Sequence, residues 1–338
     1  MPQVYPEHSD RFAALLPGLS GKKLAVIGHA RPDGDCIGSQ VGLARVLAGL
    51  GLDVVCVNAD VIPRRLKFMV GEVLFLRPDE FLPVAGDYTA IFVDCADGER
   101  AGKRLQQACP RPFIMIDHHI SNQGFAEHDF IDTGSAATAE ILTGMFLDNA
   151  MRIDEVAAQA LYSGILTDTG QFRFPSVSQR TFHLAAVLLG CGAKPSEAGF
   201  ELYERETIGK LRLLRSYIQS LKLECNGRLC IGILKRGVFA ETGSTSEDTE
   251  GLVDYARSIE GVDIGVLIEE RDDGTFKASL RGKDAIYRLD RIAGMFGGGG
   301  HTCAAGLSMQ GETAEFYAHL VAAISAQMAA VDTERNFS

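Results

Sequence analysis

The stretch that decides this chain is Val26-Ile27-Gly28-His29-Ala30-Arg31-Pro32-Asp33-Gly34-Asp35-Cys36-Ile37. Residues 24–28 form a short apolar run of the kind that makes a buried strand. Pro32 and Gly34 then mark a tight loop rather than the interior of an element. From Ile37 onward, Ile37, Val41, Ala44 and Ala48 recur at spacings of four and three, which predicts a helix. In open α/β sheets, ligands bind at the carboxyl ends of strands, and that is where His29, Asp33 and Asp35 fall. The two Asp are two residues apart, so their carboxylates can serve two different ions.

Working outward, the pattern repeats. Residues 54–58, 90–94 and 113–117 read as further strands, and 135–148, 154–166 and 178–190 as helices, the last ended by Gly190-Cys191-Gly192. Alternating strands and helices predict an α/β fold with a mostly parallel sheet flanked by helices. After a helix over about 205–223 the character changes. Strands at 229–234, 263–268 and 276–281, a short helix at 289–296 and an Ala-rich helix at 313–330 predict a smaller α/β C-terminal domain. With 338 residues the chain is too long for one ordinary core. The expected division is a catalytic domain over 1–195, a linker helix over 196–225 and a second domain over 226–331.

Composition narrows the function. Hydrophobic residues make up 46% and charged residues 23%, a normal globular balance. No apolar run approaches the ~20 residues needed to span a bilayer. The opening Met1-Pro2-Gln3-Val4-Tyr5-Pro6-Glu7 has no basic patch followed by an apolar stretch, so no secretory signal and no membrane partner are expected. Eight Cys without a CxxC pair point to neither structural zinc nor a disulfide framework and fit the cytoplasm. Lys and Arg number 33 against 44 Asp and Glu, a net charge of −11, and no segment is basic. That argues against a track for duplex nucleic acid. It leaves room for a small anionic substrate if metal ions supply the positive charge.

Three more clusters follow the first. Asp94-Cys95-Ala96-Asp97 and Asp117-His118-His119 each follow an apolar strand, and Asp168 lies in Leu166-Thr167-Asp168-Thr169-Gly170 at a helix end. Any one could be a cap or a turn. Three strand ends of one sheet carrying Asp or His point instead to a site. Asp33, Asp35, Asp94 and Asp168 would repel one another by a few kcal/mol per pair at ~5 Å, and two divalent cations would cancel their charge. Asp and His donors favour Mn²⁺, with Mg²⁺ or Co²⁺ as alternatives. Paired ions ~3.5–4 Å apart suit phosphoryl chemistry.

The set His29-x-x-x-Asp33-x-Asp35, Asp94, Asp117-His118-His119 and Asp168 resembles the four motifs of DHH phosphoesterases. Ser279-Leu280-Arg281 and Gly297-Gly298-Gly299-Gly300-His301 are similar to their DHH-associated C-terminal domain. Within the family the likeness is to the bacterial nanoRNase and pAp phosphatase subgroup, pAp being 3′-phosphoadenosine 5′-phosphate. The resemblance implies that His29, Asp33 and Asp94 bind one metal and that Asp35, Asp94, His118 and Asp168 bind the other. Asp117 would hold His118 by a hydrogen bond, and His119 would face the scissile phosphate. Arg281, Gly298, Gly299, Gly300 and His301 would hold the substrate's far end, with the active site in the cleft between the domains. Cys36 and Cys95 stand where small or hydroxyl residues are expected, which raises sensitivity to thiol oxidation.

The implied substrates are short single-stranded RNA, linear dinucleotides and pAp, and a homodimer is compatible with the family. Alternatives are a cyclic-dinucleotide phosphodiesterase, a family II inorganic pyrophosphatase and a non-catalytic nucleotide-sensing module. The absence of membrane spans, the Gly-rich signature and the filled set of ligand positions weigh against these in turn.

Overall fold

The structure, a computed structural model, describes residues 3–337. The chain divides into two compact units, Met1–Arg205 and Glu206–Ser338.

The first unit contains α1 (Pro6–Leu15), β1 (Lys23–Ile27), α2 (Gly34–Gly49), β2 (Asp53–Val57), β3 (Phe75–Leu76), α3 (Pro78–Phe81), β4 (Tyr88–Val93), α4 (Lys103–Ala108), β5 (Ile114–Asp117), β6 (His128–Ile131), α5 (Thr138–Asp148), α6 (Glu155–Asp168), α7 (Gln179–Gly190) and α8 (Pro195–Gly199). Its six strands run in the order β3-β2-β1-β4-β5-β6, and every pairing is parallel. Alternation along the strands loads both faces. Leu24, Val26, Ile91 and Val93 point into one apolar layer, while Ala25, Ile27, Ala90 and Phe92 point into the other. A parallel sheet covered on both sides needs apolar strands throughout, which is why the strand runs stand out in the sequence. The short strands β3 and β6 escape that reading, since β6 opens with His128 and Asp129.

The chain leaves β1 toward β2 on one side and resumes with β4 on the other. The switch of direction therefore lies between β1 and β4, the place where such sheets bind ligands. Against it lies α2, buried along almost its whole length between the sheet and α6. The two helices approach closely because they meet at glycines. A Cβ on Gly38 would strike the Ala160 carbonyl oxygen and the backbone of Gly164.

The second unit contains α9 (Ile208–Ser220), β7 (Lys222–Glu224), β8 (Leu229–Leu234), α10 (Val238–Thr242), α11 (Leu252–Ser258), β9 (Ile264–Glu270), β10 (Thr275–Gly282), α12 (Leu289–Gly294), β11 (Gly299–Gly300), β12 (Ala304–Gln310) and α13 (Thr313–Phe337). Its mixed sheet has the order β11-β12-β10-β9-β8-β7, with only β8 and β9 parallel. The expected linker helix is α9. It buries Leu213 and Tyr217 in a core with Cys230 and Leu267, so it belongs to the second unit rather than standing between two. Among the described residues one helix, α13, is long and apolar enough by length and composition to cross a membrane. Its apolarity comes largely from alanines, and Phe316, Leu320, Ile324, Met328 and Val331 form a stripe buried in the core of this unit.

Candidate metal centre

Each motif is delivered by the end of an element. His29 follows β1 after Gly28, and Asp33 caps α2, its Oδ1 accepting from Cys36 N at 3.1 Å. Capping does not exhaust Asp33, because the same oxygen lies 3.6 Å from His29 Nε2. Asp35, one residue into α2, is fully buried. Asp94 leaves β4 in the left-handed region at φ 57, a conformation that costs energy in a non-glycine residue, and its N–H donates to Ile116 O at 3.0 Å. Asp168 closes α6.

The residues named from the sequence converge. Asp94 Oδ2 lies 3.4 Å from His29 Nε2, while Asp94 Oδ1 lies 3.8 Å from His118 Nε2. His118 Nε2 is also 3.2 Å from Asp168 Oδ2 and 3.9 Å from Asp35 Oδ2. Asp33 and Asp35 thus do face different partners, with Asp94 between the two groups.

The DHH triplet differs from its expected wiring. Asp117 Oδ1 pairs with His119 Nδ1 at 2.7 Å, not with His118. His118 turns the other way and places Nδ1 3.3 Å from the Ser135 carbonyl oxygen. Successive residues leaving a strand point to opposite sides, so Asp117 reaches the residue two places on rather than its neighbour.

Three contributors were not anticipated. Backbone N–H groups of Thr138 and Ala139, at the start of α5, donate to the two oxygens of Asp35 at 2.7 and 2.9 Å. Thr138 Oγ1 donates to Asp94 Oδ1 at 3.0 Å. Asn122 Nδ2 donates to Asp117 Oδ2 at 2.7 Å and to Cys95 O at 3.0 Å, fixing the carboxylate that holds His119. The signal available was the burial that α2 imposes on Asp35: a carboxylate there needs N–H donors, and a helix N-terminus supplies them.

Electrostatics shows what the cluster lacks. Burial, then Asp94 and Asp168, lift the Asp35 carboxyl well above the usual range. Asp168 is also raised by burial, in spite of His118. Burial would pull His29 and His118 down, but Cys36, Asp33 and Asp94 carry His29, and Asp168, Asp35 and Asp94 carry His118, well above 6.5. Asp94, flanked by imidazoles, is held low against the opposing effect of burial. A pocket in which carboxyls are forced toward the neutral acid is one that divalent cations would stabilise. The donors fit such ions: one ligand atom from each of Asp35, His118 and Asp168 lies within 4.8 Å of the others, as in the set Asp94, His118 and His119.

In the second unit, Arg281 and the glycine run lie on opposite sides of β12. Arg281 pairs with Ala304 across β10 and β12, Gly300 pairs with Ala305, and His301 N donates to Ala304 O at 2.7 Å. The run is not a free loop, since Gly299 and Gly300 form the edge strand β11. A Cβ on Gly298 would collide with Gly306 O, so this glycine is demanded by close strand packing.

Residues 23–165 match the DHH family, N-terminal domain, and residues 229–330 match the DHHA1 domain. The bifunctional oligoribonuclease and PAP phosphatase NrnA of Thermus thermophilus is 32% identical over 91% of this chain and 90% of its own length. The chain belongs to the DHH family. A second relative, the protein of the same description from Bacillus subtilis, is 27% identical over 83% of this chain and 87% of its own. The crystal structure of an exopolyphosphatase-related protein from Bacteroides fragilis shares the DHH fold, with a TM-score of 0.87 and 24% identity over 95% of this chain and 96% of that one. As a DHH family member the chain is a phosphoester hydrolase.

Proposed function

We propose that this protein hydrolyses phosphate esters in short oligoribonucleotides, including linear dinucleotides, and in pAp, with two divalent cations. The observation that carries the reading is Asp94, whose two oxygens face two different imidazole and carboxylate groups. The names of the two relatives above support the substrate class. His29, Asp33 and Asp94 would hold one ion, and Asp35, Asp94, His118 and Asp168 the other. Mn²⁺ suits this donor set best, with Mg²⁺ or Co²⁺ as substitutes. When bound, such ions neutralise phosphate charge and activate the attacking water.

The chain's own residues prepare the rest. Thr138 and Ala139 N–H fix Asp35, and Thr138 Oγ1 fixes Asp94. Asp117 orients His119 and favours its charged form against the opposing effect of burial, so that the imidazolium donates to a phosphate oxygen. Arg281 and the 298–301 corner would grip the far end of a short substrate by a charge-assisted contact and backbone N–H groups. The acidic balance of 33 basic against 44 acidic residues supports assigning no duplex nucleic acid as partner. All eight cysteines are free, which supports a reducing cytoplasm.

The test is an assay with Mn²⁺ on pAp, a diribonucleotide, a long single strand and pyrophosphate, side by side. Turnover of the first two, abolished by chelator, is expected. Turnover of pyrophosphate alone would overturn the reading.

A further inference from the structure

We propose that Arg180 and Glu140 are positioning residues for the cation held by Asp35, Asp94, His118 and Asp168, acting through the segment 135–139. The proposal rests on the two-cation reading above. Three ligands of that ion lean on this one segment. The Ser135 carbonyl oxygen lies 3.3 Å from Nδ1 of His118, Thr138 and Ala139 N–H hold the two oxygens of Asp35, and Thr138 Oγ1 holds Asp94. A carbonyl can only accept, so Nδ1 of His118 carries a proton and Nε2 keeps its lone pair for the ion.

Arg180, near the start of α7, pins the segment at both ends. Its Nη2 donates to Gly134 O and to Ser135 Oγ, each at 3.1 Å, and its Nε donates to Glu140 Oε1 at 2.8 Å. Glu140, fully buried in the first turn of α5, uses its other oxygen to accept from Ala136 N and Thr181 Oγ1, each at 3.0 Å. Asp132 lies 3.2 Å from Nη2, and the guanidinium carbon stands 4.6 Å from the centre of the Tyr5 ring. The Tyr5 hydroxyl in turn meets Ser135 Oγ at 2.7 Å.

None of these contacts is to a metal ligand, so an effect of Arg180 on the ion must pass through the segment. A rigid planar fork of donors reaches both ends at once, which the point charge of an ammonium does not. Without it, Glu140 is a buried carboxylate short of its cation. Such a group must find water or another partner, and that movement frees Ala136 N and the turn that carries Ser135 O and Thr138 N. Arg180 and Tyr5 lie outside residues 23–165, the part matched to the DHH N-terminal domain.

The experiment titrates the full chain with Mn²⁺, followed by electron paramagnetic resonance, in the unsubstituted protein, Arg180→Met, Arg180→Lys and Arg45→Met. The last breaks the ion pair with Asp154, away from the segment, and controls for lost stability. Arg180→Met should weaken one of the two ions by about ten- to a hundredfold, the range for lost support behind a metal ligand, and spare the other. Arg180→Lys should weaken the same ion by less. Should Arg180→Met not fold, Arg180→Lys carries the comparison, because it keeps the charge and loses only the fork. In the Mg²⁺-loaded protein, the Nδ1–H proton signal of His118, identified by its loss in His118→Ala, should shift in the Arg180 variants and stay in place in Arg45→Met. Unchanged affinity for both ions, equal weakening of both, or the same response from Arg45→Met would overturn the proposal. Fewer than two ions in the unsubstituted protein would sink the two-cation reading and this proposal with it. Two ions there, with Arg180→Met and Arg180→Lys binding both as tightly, would remove the positioning role alone.

Discussion

Asp117 holds His119 through a 2.7 Å contact from its Oδ1 to the ring Nδ1, and Asn122 anchors the other oxygen of the same carboxylate at 2.7 Å. Both histidines lie 3.8 Å from Asp94 Oδ1, but only His118, next in the chain, also faces Asp35 and Asp168. The two histidines should therefore fail differently. His119→Ala should retain both ions and lower kcat by about 10²-fold, the range for one lost contact to developing charge. His118→Ala should lose one ion. Asp117→Asn combined with His119→Ala should be no slower than His119→Ala alone, because both act through one ring. Metal content by atomic emission, measured beside kcat, checks all three; equal metal loss from the two histidine variants would contradict the division.

Asp94→Ala should be the most damaging single change at the centre. Its two oxygens serve both groups, so both ions should be lost or loosened, whereas Asp168→Ala should loosen one. Titration with Mn²⁺, followed by electron paramagnetic resonance, gives the stoichiometry. Two tight ions in the Asp94→Ala protein would rule out a shared ligand.

The α2–α6 contact should be sensitive at Gly38. A larger side chain there meets backbone, which cannot move aside as a flexible side chain would. Gly38→Val should cost about 1–3 kcal/mol from overpacking. It should also weaken metal affinity, because Asp35 sits on the same helix one turn earlier. Urea denaturation and Mn²⁺ affinity are the measurements.

Away from the centre, Asp154 sets a pH dependence. Burial opposes ionisation of this carboxyl, but Arg45 at 2.6 and 3.0 Å and the N–H of Ala157 at 2.9 Å outweigh it and hold it below the usual range. A folded value below the unfolded ~3.9 contributes stability above that pH, lost as pH falls through the folded value. The pair is about a third exposed, so solvent screening limits the effect to ~1 kcal/mol or less. Asp154→Asn, which keeps a capping oxygen, should lower the urea midpoint at pH 7. The difference should shrink below about pH 3.9. A pH-independent difference would assign the effect to capping geometry instead.

Arg281→Ala tests the second unit. Losing a charge-assisted bond to phosphate costs roughly 1.5–3 kcal/mol, so turnover of pAp and a diribonucleotide at low concentration should fall at least about tenfold. Metal content should not change. Unaltered kinetics on both substrates would leave Arg281 without a role in binding.

The metal-ligand candidates were legible because each lies within a few residues of an apolar strand or helix whose pattern survives in one dimension. His29, Asp33, Asp94 and the DHH triplet follow β1, β4 and β5, and a parallel sheet brings those ends together whatever else the chain does. The covered sheet also wrote its strands plainly, since both faces must be apolar. The partner of each side chain was not legible in the same way. Spacing alone left Asp117 next to His118, and only the alternation of directions past the end of β5 gives it to His119. The donors to Asp35 lie more than 100 positions away at the start of α5. The glycine run shows the same limit. Gly298 is required by the backbone of β12, a strand whose small and polar residues gave no apolar signal. Local pattern specifies which elements form because backbone hydrogen bonding and burial act over a few residues. Which polar group meets which is decided by long-range packing, where a shift of one residue or one rotamer changes every partner.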